Sequence, residues 1–313
     1  MSRFRNITAI FTVLLTVSAC EVDFDLKGLD GDPIFVLDGN MKIEPDVPDN
    51  GHLVMFLYAV PSTAGDRVFS EEARCTLKVY RNGEHIDTKD YITIEPFFGL
   101  IADIYPDVNP GDEITLTAES EGFPTASVTT MIPQTPPAVQ VSCTRTGNNI
   151  GVRFSLEDDA GSSDAYAFSF ETITSESKPG PGDYGATVEI PYLDPETSSL
   201  LGLGPFDVIW EDGIKFYGIF DDDFNGGKKE MEVNFSGDSF QGQGTSYLRI
   251  EVIRLSPERL RYQIACQDKG SDILGFIGLA PITFAYTNVK GGSGCFSGQN
   301  ISYTDWIAIP EAE

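Results

Sequence analysis

Apolar and polar residues alternate with the two-residue period of strands over most of this chain. Ile34-Phe35-Val36-Leu37 opens the pattern and is expected to stop at Asp38-Gly39. Leu53 to Val60 is a continuous apolar run of the buried-strand type. Cys75 to Tyr80 alternates cleanly, Asn82-Gly83 supplies a tight turn, and His85-Ile86 restarts the alternation, which predicts a hairpin. After the turn at Asn109-Pro110-Gly111-Asp112, Glu113 to Ala118 and Ala126 to Ile132 complete a block of about seven short strands, the count of an immunoglobulin-like sandwich. Pro133, Pro136 and Pro137 then interrupt, because clustered prolines stiffen a linker and cannot sit in a central strand.

Strand patterns resume at Val139 and return at Gly151 to Leu156, Ala165 to Ile173, Lys215 to Phe220, Met231 to Phe235, Tyr247 to Leu255 and Ile282 to Tyr286. Ser256 to Gln267 is the best helix candidate, with Ser256 as N-cap and Pro257 at the first helical position. Two irregular loops stand out. Glu176 to Tyr184 carries Lys178-Pro179-Gly180-Pro181-Gly182, and Ser199 to Phe206 is apolar and Gly-rich, either tucked under the core or exposed as a contact patch. The prediction is an all-β protein: an immunoglobulin-like β-sandwich over residues 32–135, then a larger β-sandwich or barrel-like domain over residues 136–313.

The first residues follow another rule. Arg3 and Arg5 precede an apolar run from Ile7 to Val17, which is too short to span a bilayer, and Val17-Ser18-Ala19 leads to Cys20. Residues 1–19 therefore read as an export signal. The order of small residues before Cys20 resembles a lipobox, in which the cysteine is acylated and becomes the mature N-terminus. Residues 20–31, beginning Cys20-Glu21-Val22-Asp23-Phe24-Asp25, form an acidic tether like the signal that sends lipoproteins to the cell surface.

Charge and composition narrow the functions. The formal charge is −27, or −29 without Arg3 and Arg5, which repels nucleic acid. The chain has two histidines, His52 and His85, which leaves little for His-based metal or triad chemistry. No spacing among the 48 acidic residues singles out a catalytic carboxylate pair, and no catalytic residue is assigned. Cys75, Cys143, Cys266 and Cys295 read equally as small buried side chains or as disulfide partners.

Asp221-Asp222-Asp223-Phe224-Asn225-Gly226, with Glu232 at the twelfth position, satisfies the oxygen-ligand spacing of an EF-hand loop. Asp221, Asp223, Asn225 and Glu232 are thus candidate calcium ligands, and calcium is the one candidate cofactor. The flanking residues read as strands, so the same segment also reads as a plain acidic turn, with Glu232 alternating along the second strand. Lys290 to Gly298 is Gly-rich but lacks the Gly-Lys-Ser/Thr of a phosphate loop, and its glycines suit positive φ or close backbone packing. Ser293 and Cys295 have no histidine near them in sequence to act as base.

Several of these segments together resemble the Bacteroidota lipoproteins of domain-of-unknown-function family 4249. They are the lipobox at Cys20, Ile34 to Gly39, Ile132-Pro133, Asp221 to Gly226, Arg261-Tyr262 and, most specifically, Tyr286 to Phe296. Val289 and Cys295 depart mildly from that terminal pattern, and Asp272 to Ala280 reads differently from it. The resemblance implies an outer-membrane lipoprotein facing the cell exterior, a TonB-dependent barrel transporter as partner, and an accessory role in nutrient uptake. It brings no catalytic residues. A structural or adhesive surface lipoprotein is the alternative, with a carboxylate-based glycan hydrolase behind it.

Overall fold

The computed structural model describes residues 34–45, 52–60, 73–93, 100–104, 107–188, 205–208, 214–222, 224–240, 244–268 and 286–311. The protein is all-β apart from one helix and a 3-10 turn among these residues. Cys20, the tether, Ser199 to Gly204 of the apolar loop, the segment from Asp272 to Ala280, and Ile282 to Ala285 lie outside them.

Strands β1 (Ile34–Ile43), β2 (His52–Val60) and β5 (Leu100–Ile104) form one end of a ten-stranded sheet. Opposite lies a four-stranded sheet in the order β4 (Glu84–Thr93), β3 (Ala73–Arg81), β6 (Glu113–Glu119), β7 (Ala126–Met131). Phe35, Leu37, Cys75, Leu77, Val79, Leu116 and Val128 fill the space between the two sheets. The predicted hairpin forms at Asn82 and Gly83, with φ of 52° and 80°. β1 does not stop at Asp38-Gly39. It runs on because Gly39 finds partners on both sides, Met55 on β2 and Phe296.

The second sandwich opposes a three-stranded sheet, β14 (Lys228–Ser236), β9 (Asn149–Glu157) and β8 (Gln140–Thr146), to the other end of the large sheet. That end carries β12 (Pro205–Val208), β13 (Ile214–Phe220), β10 (Ala165–Ser175) and β15 (Thr245–Leu255), with β11 (Ala186–Thr187) on β10 and β17 (Ile307–Ala308) on β15. Its core is aromatic: Phe154, Phe168, Phe170, Tyr217, Phe235 and Phe240 are all buried, with edge-to-face contacts such as Phe170–Phe235 at 5.1 Å.

One strand joins the two halves. β16 (Phe296–Tyr303) pairs parallel with β1 and antiparallel with β15, so the large sheet is continuous and curls into a half-barrel. The segment before β16 also bridges β1 to β7. Leu37 N–H donates to Ser293 O (2.8 Å), Ser293 N–H to Phe35 O (2.8 Å), and Lys290 and Ser127 exchange both backbone bonds. The glycines make this possible. A Cβ at Gly291, Gly292, Gly294 or Gly298 would lie 2.2 to 2.5 Å from the carbonyl oxygen of Thr125, Phe35, Leu37 or Met131 respectively. The proline linker is pinned in turn, as Asn300 Nδ2 donates to Pro133 O and Arg254 Nη1 to Thr135 O.

Helix α1 (Pro257–Asp268) starts where the pattern predicts, with Pro257 first. The Ser256 hydroxyl is buried without a hydrogen-bond partner, so its side chain does not cap, and Arg259 N–H bonds the Ser256 carbonyl instead. Leu260 and Ile264 cover Ala165, Ala167, Ile253 and Ile301 on the outer face of the large sheet. Arg259 and Tyr262 both bond Asp38 of β1, at 2.8 and 2.9 Å, tying the helix to the first sandwich.

Candidate functional site

Three strand ends bring carboxylates together at one corner of the second sandwich. Asp158 follows β9, Asp164 precedes β10 and Asp221 follows β13, and each is buried. One carboxylate oxygen from each lies within 4.8 Å of the other two. Local bonds fix the corner. Asp221 N–H donates to Asp164 O (3.1 Å) and Asp164 N–H to Asp221 Oδ2 (2.9 Å), so the two chain segments grip each other. The turn after Asp221 closes through Phe224 N–H to Asp221 O (2.7 Å) and Gly227 N–H to Phe224 O (2.6 Å). At Gly226 φ is +70°, and a Cβ would meet the Ala160 methyl at 2.7 Å. The amide of Gly226 donates to Asp158 Oδ2 (3.1 Å), and the Tyr166 hydroxyl donates to Asp158 Oδ1.

Arg254, on the inward face of β15, places Nη2 2.5 Å from Asp164 Oδ2, which also accepts from Ser162 Oγ (2.6 Å). Asp221 Oδ1 is buried and has no hydrogen-bond partner among the described residues. Burial, with help from the charges of Asp158, Asp164 and Asp222, pushes the Asp221 carboxyl above its ordinary value, against the bond it accepts from the Asp164 amide.

The candidate calcium ligands separate. Asp221 is in the cluster. Asn225 is beside it but acts as a tie: Nδ2 donates to Asp221 Oδ2 (3.1 Å) and to Ser162 O, and Oδ1 accepts from Gly161 N–H (3.2 Å). Glu232 does not fold back. It sits exposed in mid-β14 opposite Arg153, whose Nε donates to it at 2.7 Å, because alternation along a strand carries it away from the turn. Asp223 lies outside the described residues. Sequence spacing missed Asp158 and Asp164. The only signal was a second acidic turn, Glu157-Asp158-Asp159 to Asp164, whose proximity to Asp221 depends on pairing across β10 and β13.

A second polar group lines the outer face of the large sheet. The Arg249 guanidinium lies over the rings of Tyr303 (4.2 Å) and Trp306 (4.6 Å), donates to Glu171 Oε2 at 2.7–2.8 Å, and donates to Pro181 O (2.9 Å). Trp306 Nε1 donates to Gly180 O (3.1 Å), so the Pro/Gly-rich loop is held against the sheet at two points. Beside them burial pushes Glu251 up to about 7, although Ser169 donates to it.

Ser293 and Cys295 of the Gly-rich segment are both buried. Cys295 is fully buried and its thiol is pushed up to about 12, chiefly by burial. His85 lies on β4, exposed and bonded to Thr88 Oγ1. Cys75, Cys143 and Cys295 are all free thiols, and the Cys266 side chain lies outside the described residues.

With both sandwiches and the Gly-rich segment in place, comparison with known families is decisive over residues 23–304, which match the model described as "Domain of unknown function (DUF4249)". The chain belongs to the DUF4249 family. The DUF4249 match begins just after Cys20 and takes in every strand from β1 to β15 and nearly all the described residues that follow. No curated protein matches the chain. Among solved structures, this DUF4249 chain is similar to trypsin-activated alpha-2-macroglobulin from Escherichia coli (10% identity, 75% of this chain, TM-score 0.26). It is similar also to red sea bream transglutaminase (8% identity, 88% of this chain, TM-score 0.23). A third is the chicken interferon gamma receptor alpha chain (9% identity, 71% of this chain, TM-score 0.20). The chain spans 15%, 31% and 89% of these proteins respectively.

Proposed function

We propose that this DUF4249 protein is an outer-membrane lipoprotein, held by acyl chains on Cys20 and facing the cell exterior. There it serves as the accessory subunit of a TonB-dependent nutrient transporter. The lipobox Val17-Ser18-Ala19-Cys20, followed by the acidic run Glu21 to Asp25, carries this reading. Each buried CH₂ of an acyl chain contributes about 0.8 kcal/mol, so several chains on one residue give stable anchoring. No helix among the described residues is long and apolar enough to cross a membrane. Thirteen residues lie between Cys20 and Ile34 at the start of β1, and the fourteen Cα steps limit the reach of the tether to roughly 50 Å. The folded body is therefore kept within one protein diameter of the bilayer, where a barrel partner would sit. The transporter role rests on the family resemblance.

The test is affinity purification from native outer membranes in mild detergent, with and without crosslinking, followed by mass spectrometry. A stoichiometric TonB-dependent barrel is expected with the wild type and should be lost on Cys20→Ser. Recovery of the lipoprotein alone, after crosslinking as well, overturns the transporter role.

A further inference from the structure

We propose that Asp158, Asp164 and Asp221 form a binding site for a calcium-class divalent cation. The donor set is oxygen only, with neither imidazole nor thiolate in the cluster, which is the chemistry of hard cations. The spacing fits. Oxygens on opposite sides of a calcium ion, each at about 2.3–2.6 Å, stand roughly 5 Å apart, and the three carboxylates offer oxygens within 4.8 Å of each other.

Charge gives the second argument. Arg254 is bonded to Asp164 and also feels the charge of Asp158, so one cation faces three carboxylates, and Asp221 has no ion-pair partner among the described residues. Asp158 receives neutral donors, from the Tyr166 hydroxyl and the Gly226 amide. Asp221 receives neutral donors on Oδ2 and nothing on Oδ1, although its side chain is fully buried. A buried carboxylate oxygen without donor or cation is costly, and native structures rarely leave one so. Asp159 is exposed, reaches Arg254 Nη1 at 3.6 Å, and adds to the negative field around the corner.

A cation here would join the end of β9, the start of β10 and the end of β13. Arg254 extends the same network to Thr135 in the proline linker. The site differs from the linear EF-hand reading: it keeps Asp221, takes its other ligands from across the sheet, and dispenses with Glu232.

Calorimetric titration of the chelator-stripped full chain with CaCl₂, paired with thermal unfolding, tests the assignment. One calcium per chain is expected, with a midpoint rise of roughly 4 °C when calcium exceeds its dissociation constant about 100-fold. Asp221→Asn and Asp164→Asn should each abolish both signals, while Glu232→Gln should keep both. Far-UV circular dichroism verifies folding, and two separate cluster variants guard against one that fails to fold. A wild type with no heat and no midpoint shift up to about 10 mM calcium, well above the range of weak extracellular sites, overturns the proposal. So does undiminished binding by a folded Asp221→Asn.

Discussion

Gly294→Ala tests whether the Gly-rich segment holds the two sandwiches together. The new Cβ would lie 2.2 Å from Leu37 O, 2.7 Å from Leu37 C and 3.1 Å from Leu37 N, all backbone atoms of β1, with no flexible side chain to move aside. The segment must therefore withdraw. Withdrawal breaks Leu37 N–H to Ser293 O, Gly39 N–H to Cys295 O and Ser293 N–H to Phe35 O, at 2.8, 3.0 and 2.8 Å. At about 1 kcal/mol net per bond this costs about 3 kcal/mol. The φ of +101° adds about 1 kcal/mol for any residue with a Cβ. The expected loss is about 4 kcal/mol. Gly83→Ala is the control: φ is +80° but nothing lies within 4 Å of the added atom, so only the conformational cost remains, about 1 kcal/mol. Equilibrium urea unfolding followed by intrinsic fluorescence gives both values. If the two variants fall within about 1 kcal/mol of each other, hydrogen bonding by the segment contributes little and the reasoning fails.

Two further predictions follow from buried titratable groups. Burial lifts Glu251 from 4.5 to about 7 in the folded chain. Between those values the folded state binds more protons than the unfolded state, so the wild type loses stability as pH rises, by about 3 kcal/mol in all. Glu251→Gln should therefore gain on the wild type at about pH 8 and lose that advantage at about pH 4, measured by urea midpoints; an advantage that does not change with pH would refute this. Cys75 and Cys295, with thiols pushed up to about 12 by burial, should resist a thiol reagent in the native protein, whereas half-buried Cys143 should react first. Equal labelling rates at all three, read by peptide mass spectrometry, would contradict the structure.

Local features were legible in the sequence wherever a few neighbouring residues determine them. Asn82-Gly83 turns because both residues tolerate positive φ, and Pro257 starts α1 because its missing N–H falls where a helix has none to satisfy. The glycines from Gly291 to Gly298 were readable as a place of close backbone approach, but not what approaches. That partner is β1, at the other end of the chain, and no local pattern encodes a parallel pairing over such a separation. The acidic site divides along the same line. Asp221 belongs to a visible motif, yet its companions Asp158 and Asp164 come from a different turn, and Glu232 is claimed by Arg153 across the strand pair. Spacing in sequence marks a ligand set only when one loop supplies it; here three strand ends do.

The seam between β1 and β16 separates the order in which the chain is made from the order in which it can be finished. Gly39 is synthesised early in the chain, and its partner Phe296 follows 257 residues later. At about 5–20 residues per second, roughly 15–50 s pass before the second appears. Through that interval β1 carries an open edge, the kind of surface on which foreign strands add. The long loop to be closed makes the final step slow as well. An escort that shields this edge during the wait would therefore matter as much to the yield as the stability of the finished fold.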